Sequence, residues 1–258
     1  MKTFVITVLW LRLALACAGC FSAIIIRRED RRRATAATFL SAVVAVSLLF
    51  LVLFIRGGSS FPFNQSYDGF FVYTLALSVI ILLNLKKLVS RPALFMASAL
   101  VVAYSAAGMH GAKLEPVVKM SNQIPLATIF VVLRDMAVAC FAFLAAVAAV
   151  ELVRPGTAVE QETRTSDPLY SAALWGFVFF SFCQLFGSMW TATSGWGDIW
   201  LWKQSFLFSA IVWIYYAGLL HLRHIPKWPD KAFLALSVFG YLMQLFYLHI
   251  YYFLFHIK

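Results

Sequence analysis

Residues 187–223 read GSMWTATSGWGDIWLWKQSFLFSAIVWIYYAGLLHLR, a tryptophan-dense stretch that runs into an apolar segment ending in Tyr216, Ala217 and His221. Four of the chain's eight tryptophans, Trp190, Trp196, Trp200 and Trp202, fall between positions 190 and 202. Indole is large, flat and amphipathic, so several at short spacing beside a membrane form either an interfacial belt or a platform that stacks on a planar ligand. A belt takes one or two, and this density favours a platform carried on a loop. The apolar run that follows, 204–222, has the length and composition of a spanning helix.

The rest of the chain agrees with a bilayer as its solvent. Of 258 residues, 62% are hydrophobic and 12% charged, and the mean hydropathy is +0.84. So little polar surface cannot cover a protein in water. Eight apolar runs of helix length follow one another, at roughly 4–26, 36–55, 70–85, 93–108, 124–150, 170–188, 204–222 and 232–256, the third and fourth short. They predict an all-α, polytopic integral membrane protein, a bundle of about eight transmembrane helices in a single membrane domain over 1–258. Helices one to five occupy 1–150, a polar inner linker with Pro155, Gly156, Glu160, Glu162 and Asp167 occupies 151–169, and a tryptophan-bearing core occupies 170–258. No internal repeat and no soluble domain is visible in the sequence.

The formal net charge of +10 in a soluble protein points to nucleic acid; here it is expected of basic loops on one side of a bilayer, with membrane lipid and not nucleic acid as the partner. Five arginines between Arg27 and Arg33, then Lys86, Lys87 and Arg91, then Arg154 and Arg164, then Arg223, Lys227 and Lys231 place 13 of the 21 basic residues in alternate loops. The opposite set, Lys2, Arg56, Lys113, Lys119, Lys203 and Lys258, holds 6. This asymmetry predicts a multi-pass protein of the inner (cytoplasmic) membrane, with the tryptophan loop and both termini extracytoplasmic. The first segment has Lys2 and small residues near Cys17, as a secretory signal does, but Arg12 interrupts it and the arginine cluster follows, so it is read as a spanning helix.

Three charges, Arg12, Arg134 and Asp135, lie within apolar runs. Each costs roughly 2.5–3.5 kcal/mol at mid-bilayer, which predicts that they face the bundle interior, with an ion pair between Asp135 and Arg12 as the ordinary outcome. The functional alternative is an arginine that holds the carboxylate or carbonyl oxygen of a ligand. Cys17, Cys20, Cys140 and Cys183 all fall in apolar runs and are read as packing residues; Cys17 and Cys20 share a helical face without a second ligand pair. Acidic catalytic pairs, nucleophile triads and glycine-rich phosphate loops are absent from the sequence.

The segment Trp196-Gly-Asp-Ile-Trp-Leu-Trp202 resembles the tryptophan-rich segment of the CcsA/ResC/CcmC family, the membrane heme-handling proteins of cytochrome c maturation. The likeness continues through Trp213, Tyr216, Ala217, His221 and Arg223 to Gly240. It departs after the last loop tryptophan, where the family has Asp-Pro-Lys-Glu and this chain has Lys203, Gln204, Ser205 and Phe206. The resemblance implies heme as cofactor, b-type or transported, with Trp190, Trp196, Trp200 and Trp202 as its shelf and His221 as the membrane-embedded iron ligand. The outward ligand of helix eight falls in that register just past Lys258, which leaves His256 or His249, on the same helical face, as further candidates for the iron. The other outward ligand aligns with Ala127, after a stretch similar to Leu114-Glu-Pro-Val117 and Ser121-Asn122, with His110 as the available replacement.

The resemblance thus implies a CcsA-like heme-handling protein of cytochrome c biogenesis, a component of a heme lyase that presents heme at the tryptophan loop beside a ResB-type membrane partner. The altered residues Lys203 and Ala127 keep two alternatives open. One is a heme b or quinone-interacting electron-transfer subunit beside a multiheme c-type cytochrome, and the other a heme-free membrane anchor. The topology is tested directly: with Ser194→Cys, an impermeant thiol reagent labels the protein in intact cells, and labelling only after lysis inverts the orientation.

Overall fold

The structure, a computed structural model, describes residues 2–26, 28–56, 68–85, 90–111, 124–153, 168–193, 204–225 and 228–246. They form eight helices: α1 (Lys2–Ile25), α2 (Glu29–Arg56), α3 (Asp68–Asn84), α4 (Arg91–Gly111), α5 (Ile124–Val153), α6 (Pro168–Thr193), α7 (Gln204–His224) and α8 (Asp230–Leu245). No strand occurs among the described residues. In lipid every backbone polar group must be bonded within its own segment, and a helix does this without help from neighbours. Proline marks several starts, where its missing N–H costs nothing. Pro168 opens α6 and Pro229 caps α8. Pro92 follows the first residue of α4, where the Ser90 hydroxyl accepts the N–H of Ala93 at 3.2 Å.

Five described stretches are long and apolar enough to cross a membrane, Thr7–Ile25, Glu29–Val52, Arg91–Gly108, Pro125–Val153 and Pro168–Thr193, and Phe70–Asn84 is a shorter apolar helix. The protein is therefore an all-α polytopic membrane protein. The expectation of a short third helix holds, whereas α4, at 21 residues, is longer than its apolar run, because Arg91, Met109, His110 and Gly111 extend the helix beyond it.

The helices close into two successive rings. α1 packs on α2 and α4, and α3 on α2 and α4; α6 packs on α5 and α7, and α8 on α5 and α7. α5 also packs on α3 and α4, so it belongs to the second ring and leans on the first. Its stretch Ala137-Val-Ala-Cys-Phe-Ala-Phe-Leu-Ala-Ala-Val-Ala148 is buried throughout. A helix buried all round must be apolar all round, and the alanines let neighbouring backbones approach, which is how helices associate where lipid removes the hydrophobic drive. A tyrosine cluster adds a polar tie between the rings. Tyr241 of α8 shares hydroxyl hydrogen bonds with Tyr104 of α4 (2.8 Å) and Tyr73 of α3 (3.3 Å).

The structure corrects several expectations. Asp135 does not pair with Arg12: its Oδ1 accepts from Nε and Nη2 of the adjacent Arg134, at 3.1 and 3.0 Å. Arg12 on α1 instead lies 4.2 Å from the centroid of the Phe71 ring and donates to the Phe71 carbonyl at 3.4 Å. The reason is topological, since α1 packs on α2 and α4 while α5 is reached from the far side of the first ring. The arginine cluster is largely helical, because α2 starts at Glu29, whose carboxylate pairs with Arg33 one turn on. Of the residues 151–169 expected as a linker, Glu151–Val153 belong to α5 and Pro168 and Leu169 to α6, and the rest lie outside the described residues. All four cysteines are free, Cys140 and Cys183 buried and Cys17 and Cys20 half-buried.

Glycine matters where α6 meets α5. A Cβ on Gly176 would stand 2.5 Å from Cε1 of Phe141, and Phe141 is fully buried. Gly176→Leu should therefore cost at least the 1–3 kcal/mol typical of an overpacked core, read as a lower unfolding temperature of the purified protein in detergent; an unchanged temperature refutes the contact.

Candidate functional site

α7 is the helix on which the sequence-predicted residues gather. It packs mainly on α6 and α8 and turns much of its surface outward: Leu207, Ile211, Trp213, Ile214 and Ile225 are all exposed. Trp213 lies against Phe177 of α6, with ring centroids 5.3 Å apart, and its indole N–H donates to Ser181 Oγ at 2.8 Å. Tyr216 is turned inward and stacks on Phe141 at 3.6 Å with an interplanar angle of 11°. Gly240 of α8 is where Tyr215 crosses, for a Cβ there would meet the ring at 2.5 Å, while the Tyr215 hydroxyl donates to the Leu236 carbonyl at 2.6 Å. Arg223 forms an ion pair with Asp230 across the α7–α8 connection and lies 4.8 Å from the Phe233 ring centroid.

His221 behaves differently from these packing residues. Its ring is exposed on the outer face of α7, and Nδ1 lies 2.8 Å from the carbonyl of Ala217. A carbonyl can only accept, so Nδ1 carries the proton and Nε2 keeps a lone pair that points away from the helix's own backbone. A carbonyl bonded to one ring nitrogen in this way fixes the tautomer and the orientation of the ring. Ile211, Ile214, Gly218, His221 and Ile225 follow at alternating spacings of three and four, so they share one face. A Cβ on Gly218 would meet nothing within 4 Å; packing does not require glycine there, and its effect is a flat surface one turn before the imidazole. His224, also exposed, has its Nε2 engaged with the Tyr170 hydroxyl at 2.9 Å.

The remaining expectations divide. Trp190 is not on a loop but on α6, half-buried, with its ring 5.9 Å from that of Phe130 on α5. The helix runs on to Thr193, and Ser188, Thr191 and Thr193 satisfy their hydroxyls on its own carbonyls at Gln184, Gly187 and Met189 instead of on the backbone of a turn. Trp196, Trp200, Trp202, Lys203, His249 and His256 lie outside the described residues. Ala127, at the register of an outward ligand, is buried on α5, and His110 lies near the end of α4. Among the described residues no three metal-ligating side chains converge, so His221 is a single imidazole and the structure does not bring it together with a second candidate. Sequence reasoning missed Gly218 and Gln244 of α8; a lone glycine and a lone glutamine in apolar helices carry no motif.

An all-helical bundle with five helices long and apolar enough to cross a bilayer defines a multi-pass membrane protein. The chain belongs to the family described as Cytochrome C assembly protein, which it matches over residues 7–257. Among curated relatives it is similar to the cytochrome c biogenesis protein CcsA of Prochlorococcus marinus strain MIT 9312, 31% identical over 74 residues, or 29% of this chain and 24% of the relative. The CcsA of strain MIT 9215 is 32% identical over 76 residues, 30% of this chain and 24% of that protein. The matched segment thus spans about a quarter of these relatives' length. No solved structure matches the chain.

The packing role of Trp213 has a measurable consequence. Trp213→Phe should destabilise the protein by roughly 0.5–1.5 kcal/mol, the net worth of one hydrogen bond, read as a lower unfolding temperature of the purified protein in detergent. An unchanged temperature refutes the packing role.

Proposed function

We propose that the protein handles heme as cargo in cytochrome c biogenesis, with His221 as the residue that takes the iron within the membrane. The observation that carries this reading is the pairing of a tautomer-fixed, outward Nε2 at His221 with the side-chain-free surface of Gly218. The residues fit the group: an imidazole supplies an axial nitrogen, and Ile211, Ile214 and Ile225 offer an apolar wall against which a porphyrin lies. Heme supplies the iron and the vinyl groups; the chain's own work is to bind, orient and exclude water.

The exposure of His221 sets the form of the site. Heme held there lies on the perimeter of α7, so its other face needs a second surface, which a ResB-type partner or a segment beyond the described residues supplies. On the extracytoplasmic side of the inner membrane, Trp190 with Trp196, Trp200 and Trp202 forms the shelf from which heme is presented, with His249 or His256 as second ligand. The family membership and the basic asymmetry of the loops support this orientation. A second reading, a stable b-type heme that passes electrons to a multiheme cytochrome, is favoured by Ala127, whose buried methyl stands where the resemblance calls for an outward ligand.

The test separates ligation from folding. His221→Ala should reduce heme affinity by at least the roughly 10- to 100-fold that loss of a metal ligand's hydrogen-bond partner costs, with membrane insertion intact. Gly218→Leu should also lower heme content, although it favours the helix by about 1 kcal/mol. Heme measured by its visible spectrum at wild-type level in both variants would move the site to His249 and His256. A reversible, stoichiometric b-type spectrum in the wild type would favour the electron-transfer reading.

A further inference from the structure

Inside the second ring, α5, α6, α7 and α8 leave between them a cavity of about 30 Å³. Val212, which lines it, and His221 are nine residues apart on α7, about 13.5 Å along the axis and half a turn around it. The cavity therefore stands apart from the outward imidazole. Its apolar wall is largely aromatic, and four polar side chains, Arg134, Gln184, Ser209 and Gln244, line the rest. Gln244 is 1% exposed, yet neither Nε2 nor Oε1 of its amide has a hydrogen-bond partner among the described residues. A buried amide left unbonded in an apolar bundle costs free energy, and it presents donors and an acceptor side by side to whatever occupies the space.

Size and charge decide the occupant. A buried water needs roughly 10–15 Å³ of such space and two to four polar partners, whereas cavities that stay dry are lined by apolar groups. The volume is too small for a ring. Arg134 turns a cation away, and because its Nε and Nη2 both donate to Asp135 Oδ1, the pair is neutral and offers no net attraction to an anion. What fits is a small neutral molecule that both donates and accepts. We propose that the cavity is an internal hydration site, in which about two or three water molecules bridge the Gln244 amide to the Arg134 guanidinium and solvate the Arg134–Asp135 pair inside the bundle. Water donates to Gln244 Oε1 and accepts from Gln244 Nε2 and from a further N–H of Arg134. Charged side chains within a membrane bundle face one another or a water-filled space, and this pair has both. The site does not rest on the heme reading.

The experiment is X-ray radiolysis of the purified full-length protein in nanodiscs, read residue by residue by mass spectrometry. Radiolysis of a bound water releases a hydroxyl radical that oxidises the side chain beside it, and thiols react readily. Cys183 lines the cavity and Cys140 does not, although both are buried, at 1% and 3% exposure. Cys183 should be oxidised several-fold faster than Cys140, at a rate that a radical scavenger in the bulk solvent leaves unchanged while it protects the exposed His224. Gln244→Met, which keeps the volume and removes the amide, and Ser209→Leu, which fills the space from α7, should each bring Cys183 down to the rate of Cys140. Equal rates for the two thiols in the unaltered protein overturn the proposal whatever the variants do, and so does a Cys183 rate that neither variant lowers. A scavenger effect on Cys183 equal to that on His224 also overturns it, because the radical then comes from outside. A Cys183 rate that rises when chloride is replaced by gluconate places an anion in the cavity instead of water. His221→Ala should leave every rate as it was, so failure of the heme reading and failure of this one are told apart.

Discussion

The second ring of the bundle depends on the placement of one phenyl group. Phe141 of α5 stacks on Tyr216 of α7, meets Phe180 of α6 edge-on at 6.4 Å, and occupies the space that a side chain on Gly176 would need. Tyr216 in turn brings its hydroxyl to within 3.2 Å of where a Cβ on Gly240 of α8 would be. Four helices therefore meet around two stacked rings and two missing side chains. In lipid this is the available means of specifying a packing, because hydrophobicity does not distinguish a helix neighbour from an acyl chain. Shape has to do so.

This accounts for what the resemblance carries. Trp213, Tyr216, Arg223 and Gly240 each hold a helix in place, through an indole hydrogen bond to α6, a ring stack on α5, an ion pair with Asp230 and a clearance for Tyr215. For these four residues the motif is a list of joints. His221 differs from them, being bonded to its own helix and open outward. The arrangement holds the imidazole in a fixed orientation on the helix.

The number and order of helices were legible in the sequence because apolar runs bounded by basic clusters, glycine and proline report directly on spans. Their ends were not. Hydropathy alone stops α6 near Gly187 and starts α2 after the arginines, whereas Thr191 and Thr193 bond their own helix and Glu29 pairs with Arg33. Those local bonds have no hydropathy signature. The partner of Asp135 was misread for a different reason: both arginines satisfied the electrostatics, and the ring order of helices made the choice. His221 stands out in the sequence only by its place in the motif, while Gly218 became noticeable only once the surface beside it was seen to be open. Gln244 needed the structure entirely, since isolation from partners is a three-dimensional property.

The ring order also bears on how the chain is made. α1 to α4 pack in cyclic sequence order, and so do α5 to α8, so the most distant pairing inside either ring joins its first helix to its fourth. Contacts between segments close in sequence form early and at low entropic cost. The first four helices can therefore close on one another while the ribosome is still translating the fifth, and α5 then arrives at a finished surface formed by α3 and α4. The tyrosine cluster is complete only when Tyr241 on α8 reaches Tyr73 and Tyr104. Its three hydroxyls come together only late in synthesis, and until then Tyr73 and Tyr104 on the first ring lack that partner.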